Sequence, residues 1–226
     1  MTDGLVRILE GNTFVVSDKR GDIKASATDP TGLFSFDTRF LSKWVLSVNG
    51  QRLNSLSTDD LHYFEARFFL VPGTGTVYVD AKLSVIRVRA VGGGFHEELS
   101  ILNHDDKPVE LQVRIDAYSD FADLFEVKDA LEKKGTYRNR IEPDRLVLGY
   151  KRETYERATL ISATKPAEID EHGLTFQVRI EPHGQMDDRT SGCDRHGRLG
   201  SGAAGNSRAA QHGAGPGEMD GEGAAA

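Results

Sequence analysis

The sequence predicts an all-β protein: an antiparallel β-sandwich with one short helical patch and a C-terminal tail outside the fold. Three observations predict it. Apolar and polar residues alternate in short runs. Many of those runs end at turn-forming groups such as Asn49-Gly50, Pro72-Gly73 and Gly92-Gly93-Gly94. Large hydrophobic residues all but stop after Gly184. Period-two alternation is what a sheet with one buried face requires.

Trp44 to Val48 places large apolar groups at every second position, and Asn49-Gly50 follows, a pair suited to the positive φ of a two-residue hairpin turn. His62 to Leu70 is an aromatic-rich strand ending before Pro72-Gly73. Leu83 to Arg89 is a strand with Leu83, Val85 and Arg87 on one face. Gly92-Gly93-Gly94 turns the chain, and Phe95 to Leu102 returns. After the turn at Asp105-Asp106-Lys107-Pro108, Val109, Leu111, Val113 and Ile115 face inward from one strand. Further strands are expected at Leu146 to Tyr150, Ala158 to Ala163 and Leu174 to Ile180. Residues 120 to 134 are the one plausible helical stretch.

The chain has 226 residues and a net charge of -7. Residues 1–184 hold 62 Val, Ile, Leu, Phe, Tyr and Trp, whereas residues 185–226 hold one, Leu199, among ten Gly and eight Ala. The second stretch cannot bury enough apolar area to offset the entropy of ordering it. The expected division is therefore a domain over 1–184 and a disordered Gly/Ala-rich tail over 185–226. The single cysteine, Cys193, excludes an internal disulfide framework and any multi-cysteine zinc site. Mixed charge with an acidic excess disfavours nucleic acid as a partner. No apolar run is long enough for a membrane span, and the first residues do not read as a signal peptide. A cytoplasmic protein is expected.

Most candidate chemistry fails on its own terms. His96-Glu97-Glu98 resembles the start of a zinc-protease motif, but position 100 is Ser100 and the segment reads as a strand. His104-Asp105-Asp106 is a turn, where short acidic side chains cap backbone N–H groups. Gly92-Gly93-Gly94 lacks the Lys-Ser/Thr of a phosphate loop. Asp37 and Arg39, two apart on a strand, face the same side and form an ion pair in this reading, either a structural salt bridge or a polar cluster at a cleft or interface. Asp120, Asp123 and Glu126 form the acidic side of a short helix whose Phe121, Leu124 and Phe125 side packs inward. These five residues are the binding or docking candidates. No metal site, cofactor or catalytic group is expected.

Three stretches carry a family resemblance: Glu10 to Asp18 with Gly21-Asp22, Gly32 to Ser42, and Asn103 to Glu126. With Asp-Thr-Arg-x-Leu-Ser and Asp-Phe-Ala-Asp-Leu-Phe-Glu as the most specific elements, residues 5 to 184 resemble the N-terminal domain of bacterial glycogen-debranching-type proteins, the amylo-alpha-1,6-glucosidase family. The resemblance implies a supersandwich-like β-domain that precedes a larger α/α-barrel. It also implies that the barrel carries the paired carboxylates needed for glycoside hydrolysis. That pair maps onto no residue here, so this chain alone is not expected to be a glucosidase. The implied partner is the catalytic barrel, with α-glucan as its substrate class.

The family pattern continues after Pro-His-Gly with an Arg-Trp-Thr-Thr-like strand. A one-base shift of the codons for Gln185-Met186-Asp187-Asp188 permits that reading. The tail is therefore expected to be out of frame, with the catalytic part lost. The alternative is a free-standing carbohydrate-binding module, whose aromatic platform would come from Trp44, Tyr63 and Tyr78.

Overall fold

A computed structural model describes residues 4–26, 30–73, 82–129, 131 and 133–194. Its strands in chain order are β1 (Val6–Glu10), β2 (Thr13–Ser17), β3 (Ile23–Lys24), β4 (Gly32–Ser35), β5 (Thr38–Leu41), β6 (Lys43–Val48), β7 (Gln51–His62), β8 (Glu65–Pro72), β9 (Leu83–Val91), β10 (Phe95–Asn103) and β11 (Val109–Tyr118). One helix, α1 (Leu124–Lys128), follows. Then come β12 (Thr136–Glu142), β13 (Arg145–Arg152), β14 (Tyr155–Ala163), β15 (Glu168–Asp170), β16 (Gly173–Ile180) and β17 (Gln185–Asp194). Every pairing between these strands is antiparallel.

A four-stranded sheet runs β1-β2-β4-β5. The other strands share one hydrogen-bonded order, β12-β13-β14-β17-β10-β9-β8-β7-β6-β11-β16-β15, with β3 also on β6. That order folds over at a single weak seam. β7 pairs with β6 only at Ser47↔Arg52 and Val48↔Gln51, and β3 takes up the same edge of β6 at Trp44 and Lys43. Two layers result, one around β6, β11 and β16, the other from β7 to β12. Their apolar faces meet in a shared core. Asn139 Nδ2 donates to the Glu171 carbonyl at 2.9 Å, so the outer edges β12 and β15 approach each other and the sandwich is nearly closed.

The alternation sets which side chains enter the core. Leu111, Val113, Ile115 and Ala117 point in from β11, and Trp44, Leu46 and Val48 from β6. Asn49 and Gly50 take φ of 50° and 74°, the left-handed pair a tight hairpin needs. The Gly92–Gly94 turn joins β9 to β10, and Asp105 N donates to Asn103 Oδ1 at 3.0 Å in the turn after β10.

Three expectations shift. The expected strand over His62 to Leu70 is interrupted. The chain turns at Tyr63-Phe64, between the end of β7 and the start of β8. The helical stretch shortens to α1, because the segment before it is held extended against β5. The expected boundary at Gly184 also moves. β17 runs ten residues further, laddered on both sides by β10 and β14. Two neighbouring strands satisfy its backbone, and only Met186, Asp188 and Thr190 turn inward among its first six residues. Asp188 is buried but satisfied, accepting from Thr164 Oγ1 at 2.7 Å and from Lys165 N at 3.1 Å. The remainder of the expected tail, residues 195–226, lies outside the described residues. Among the described residues, no helix is long and apolar enough to cross a membrane.

Candidate functional site

The five candidates gather on one face, where the β4–β5 turn meets the segment from Ser119 to α1. The join is made by backbone. Arg39 N donates to the Ala122 carbonyl at 2.8 Å, and Leu124 N donates to the Asp37 carbonyl at 2.9 Å. Thr38 and Asp123 form an isolated β-bridge. The open edge of β5 is thus covered by the chain leading into the helix.

Arg39 does not pair with Asp37. Its Nε donates to Asp120 Oδ1 at 3.0 Å and its Nη2 to Asp120 Oδ2 at 2.5 Å, a bidentate fork. The guanidinium lies 5.9 Å from the Phe34 ring centroid. Asp37 sits in the turn, where the strand geometry that would put it on Arg39's face has already ended. Its Oδ1 accepts from the Thr38 hydroxyl at 3.1 Å.

Asp120, Asp123 and Glu126 do not share one helical face either. Asp120 precedes the helix. Asp123 is its N-cap, accepting from Phe125 N and Glu126 N at 2.9 Å each, while Glu126 Oε2 accepts from Asp123 N at 2.8 Å. This reciprocal capping box satisfies donors that a helix start leaves open. The bond from Glu126 N, the largest influence, holds the Asp123 carboxyl below its usual range, with Lys133 and Phe125 N adding to it against burial. Lys133 Nζ donates to Glu126 Oε2 at 2.8 Å and lies 5.7 and 5.8 Å from the Tyr150 and Tyr155 ring centroids.

The apolar side of this segment also differs from expectation. Only Phe121 turns inward, at φ 49°, edge-on to Phe40 and stacked on Tyr150. Leu124 and Phe125 face outward, Phe125 at 77% exposure, and Phe36 in the adjoining turn is 67% exposed. Phe36 holds a left-handed φ of 54°, which costs a bulky residue energy. A helix this short has too few residues to bury a stripe of its own.

Beside the Arg39–Asp120 pair lies a shallow cleft of ≈ 440 Å³ whose lining includes Lys24, Ser42, Lys43, Tyr118 and Leu131. Tyr137 Oη donates to the Asp120 carbonyl at 2.9 Å, and burial is the main reason its phenol is pushed up to about 12. Among the described residues, no group of three or more His, Cys, Asp or Glu is placed to hold a metal ion.

A buried charge network lies elsewhere in the core, and sequence reasoning missed most of it. Arg87 and Arg89 on β9 and Glu97 on β10 point into the core with Asp22 from the turn before β3. Arg87 donates to Glu97 Oε1 at 2.9 Å and to Asp22 Oδ1 at 2.8 Å. Arg89 donates to Glu97 Oε2 through Nε at 3.0 Å and Nη2 at 2.5 Å, and also to the Gly21 carbonyl. Trp44 Nε1 donates to Glu97 Oε1 at 2.8 Å. Burial, the largest influence, pushes the Glu97 and Asp22 carboxyls up. The guanidiniums and hydrogen bonds around them outweigh it, and both end below their ordinary values. The available signal was the phase of β9: if Val85 points in, so do Arg87 and Arg89, which must then meet acids. Trp44, fully buried, cannot be an aromatic platform. Tyr63 is exposed, and Tyr78 lies outside the described residues.

No curated protein matches the chain. The family described as the N-terminal domain of (some) glycogen debranching enzymes matches residues 8–189, from within β1 to within β17. The two most specific elements of the resemblance, Asp37–Ser42 and Asp120–Glu126, are the two that this face joins. The chain therefore belongs to the family of N-terminal domains of glycogen debranching enzymes.

Proposed function

We propose that this domain is the accessory N-terminal part of a debranching-type glycoside hydrolase, and that it packs on a catalytic α/α-barrel domain through the face of the β4–β5 turn and α1. It has no catalytic role of its own in this reading, and it works in the cytoplasm. The observation that carries the proposal is the outward set of Phe36, Leu124 and Phe125. Singly exposed apolar residues need no explanation, but these three stand on backbone joined by the Leu124 N–Asp37 O bond. The Arg39–Asp120 fork, the capping box and the Lys133–Glu126 bond hold that backbone in place. A face fixed before binding pays less ordering entropy when a partner covers it.

The test mixes the 226-residue chain with a separately produced catalytic domain from a debranching enzyme of this family. Sedimentation velocity should show a 1:1 complex. Phe125→Asp should weaken it by at least about tenfold, the effect of burying a charge at an apolar contact. Glu110→Gln should leave it unchanged, since Glu110 lies at the opposite end of β11 from Tyr118, about 26 Å away by strand rise. Absence of a complex, or a complex indifferent to Phe125→Asp, would overturn the proposal.

A further inference from the structure

We infer, resting on the function proposed above, that Phe36 is the specificity-determining anchor of the docking face, and that the catalytic domain receives its ring in an apolar socket with a basic rim. Ser35 and Thr38 pair across β4 and β5, so Phe36 and Asp37 are a two-residue hairpin loop. Where such a loop needs positive φ it uses Gly, Asn or Asp, because a larger side chain crowds the backbone there. Phe36 holds that place at φ 54°. Among the described residues, Asn49, Phe121, Glu153 and His183 are the other non-glycine residues at positive φ. Each has a local reason. Asn49 is of a type that tolerates the conformation. Phe121 buries its ring completely, and core packing offsets the strain. Glu153 and His183 keep polar side chains in water. Phe36 has none of these reasons, since its ring is apolar and 67% exposed. A bulky residue that breaks a local rule without a gain in folding marks a contact made outside the domain.

The loop is clamped from both sides. Phe36 N donates to the Asn12 carbonyl at 2.8 Å, in the turn between β1 and β2, and Leu124 N donates to the Asp37 carbonyl at 2.9 Å. The ring therefore stands out from a fixed base and loses little freedom when a partner covers it. Aromatic rings held this way are the usual anchors of protein interfaces. Charge sets the rim. Asp37 is exposed, its Oδ1 accepts from the Thr38 hydroxyl, and it has no ion pair among the described residues. The neighbouring cations are taken, Arg39 by Asp120 and Lys133 by Glu126. A purely apolar surface laid over Phe36 would strip water from the Asp37 carboxylate and leave it unpaired. A cation on the partner removes that penalty, and a guanidinium suits the place best, because arginine is enriched at interfaces where lysine is depleted.

Two measurements on the full 226-residue chain test the anchor. Thermal unfolding of Phe36→Gly alone should give a midpoint unchanged or raised by up to about 3 °C, since glycine relieves the left-handed backbone. Sedimentation velocity with the separately produced catalytic domain should show the same variant weakening the complex by about thirtyfold, the loss that truncating an interface anchor brings. Phe36→Tyr, which keeps both ring and strain, should bind within about threefold of the wild type. Asp37→Asn, which keeps the acceptor for Thr38, should weaken the complex roughly fivefold at low salt and flatten its salt dependence. A midpoint that falls by more than about 3 °C in Phe36→Gly would give the ring a structural role and overturn the inference. A complex that needs Phe125 but not Phe36 would keep docking and reject the anchor. A complex that needs Phe36 but ignores Asp37→Asn would keep the anchor and reject the basic rim. No complex with the wild-type chain would reject docking and anchor together.

Discussion

Glu97→Gln should destabilise this protein more than any surface change. Glu97 is 1% exposed and accepts from Arg87 Nη2, Arg89 Nε, Arg89 Nη2 and Trp44 Nε1. Glutamine keeps one carbonyl oxygen, enough for two of these donors, and turns its own N–H groups toward a guanidinium. Asp22 is then the one buried carboxylate left to balance two buried arginines. Adding about 1.5–3 kcal/mol for each lost charge-assisted bond overshoots, because the arginines relax toward Asp22 and the Gly21 carbonyl. Breaking a buried pair by removing one partner costs about 3–5 kcal/mol, a fifth or more of the roughly 5–15 kcal/mol by which a typical domain is stable. At about 2–4 °C per kcal/mol for a domain of this size, the midpoint should fall by about 6–20 °C. Urea unfolding of the wild-type and variant chains, followed by circular dichroism, gives the free-energy difference directly. A loss under about 1 kcal/mol would refute the claim that the network carries charge in the core.

The remaining predictions concern the same framework. Asp22 and Glu97 have carboxyls lowered from 3.8 and 4.5, so the stability they contribute is complete above those values and is lost as the pH falls through the lowered ones. The thermal midpoint should be level near neutrality and drop below about pH 4, with Glu97→Gln flattening that drop; equal acid sensitivity in both chains would contradict it. Asp123→Ala removes the cap of α1 and should cost about 1 kcal/mol. Amide exchange at Phe125 and Glu126 should rise while core strands stay protected. Gly173→Ala should abolish folding or cost about 3 kcal/mol or more, because φ is 150° and the added methyl would overlap the backbone carbonyl of Ile115 across the β11–β16 ladder. A folded variant with an unchanged midpoint would show that the ladder opens there.

The parts of the fold that alternate cleanly were legible in the sequence. β6, β11 and β16 carry apolar residues at every second place, and β9 and β10 do so except where Arg87, Arg89 and Glu97 take the inward positions. β7 was not legible, because Gln51–His62 is mostly polar and its pairing with β8 is broken by irregularities after Ser55 and Asp59. β17 was hidden for a different reason. Its sequence lacks hydrophobic content, and it is a strand because β10 and β14 present open edges on both sides. At the candidate face, sequence reasoning found the right residues and the wrong partners. Local spacing joined Asp37 to Arg39, whereas the tertiary fold brings in Asp120 from 81 positions away. The same limit made Leu124 and Phe125 look like core residues. The large group that turns inward, Phe121, lies in the extended segment before α1, and the short helix itself buries none of its residues.

The proposed docking face lies where β5 meets α1. Hydrogen exchange of this chain, alone and with a catalytic domain from a debranching enzyme of the family, tests it most directly. Docking through this face should give new protection at residues 36–39 and 120–126 with little change along β12 and β16. Protection confined to the β12 edge, or none anywhere, would contradict it.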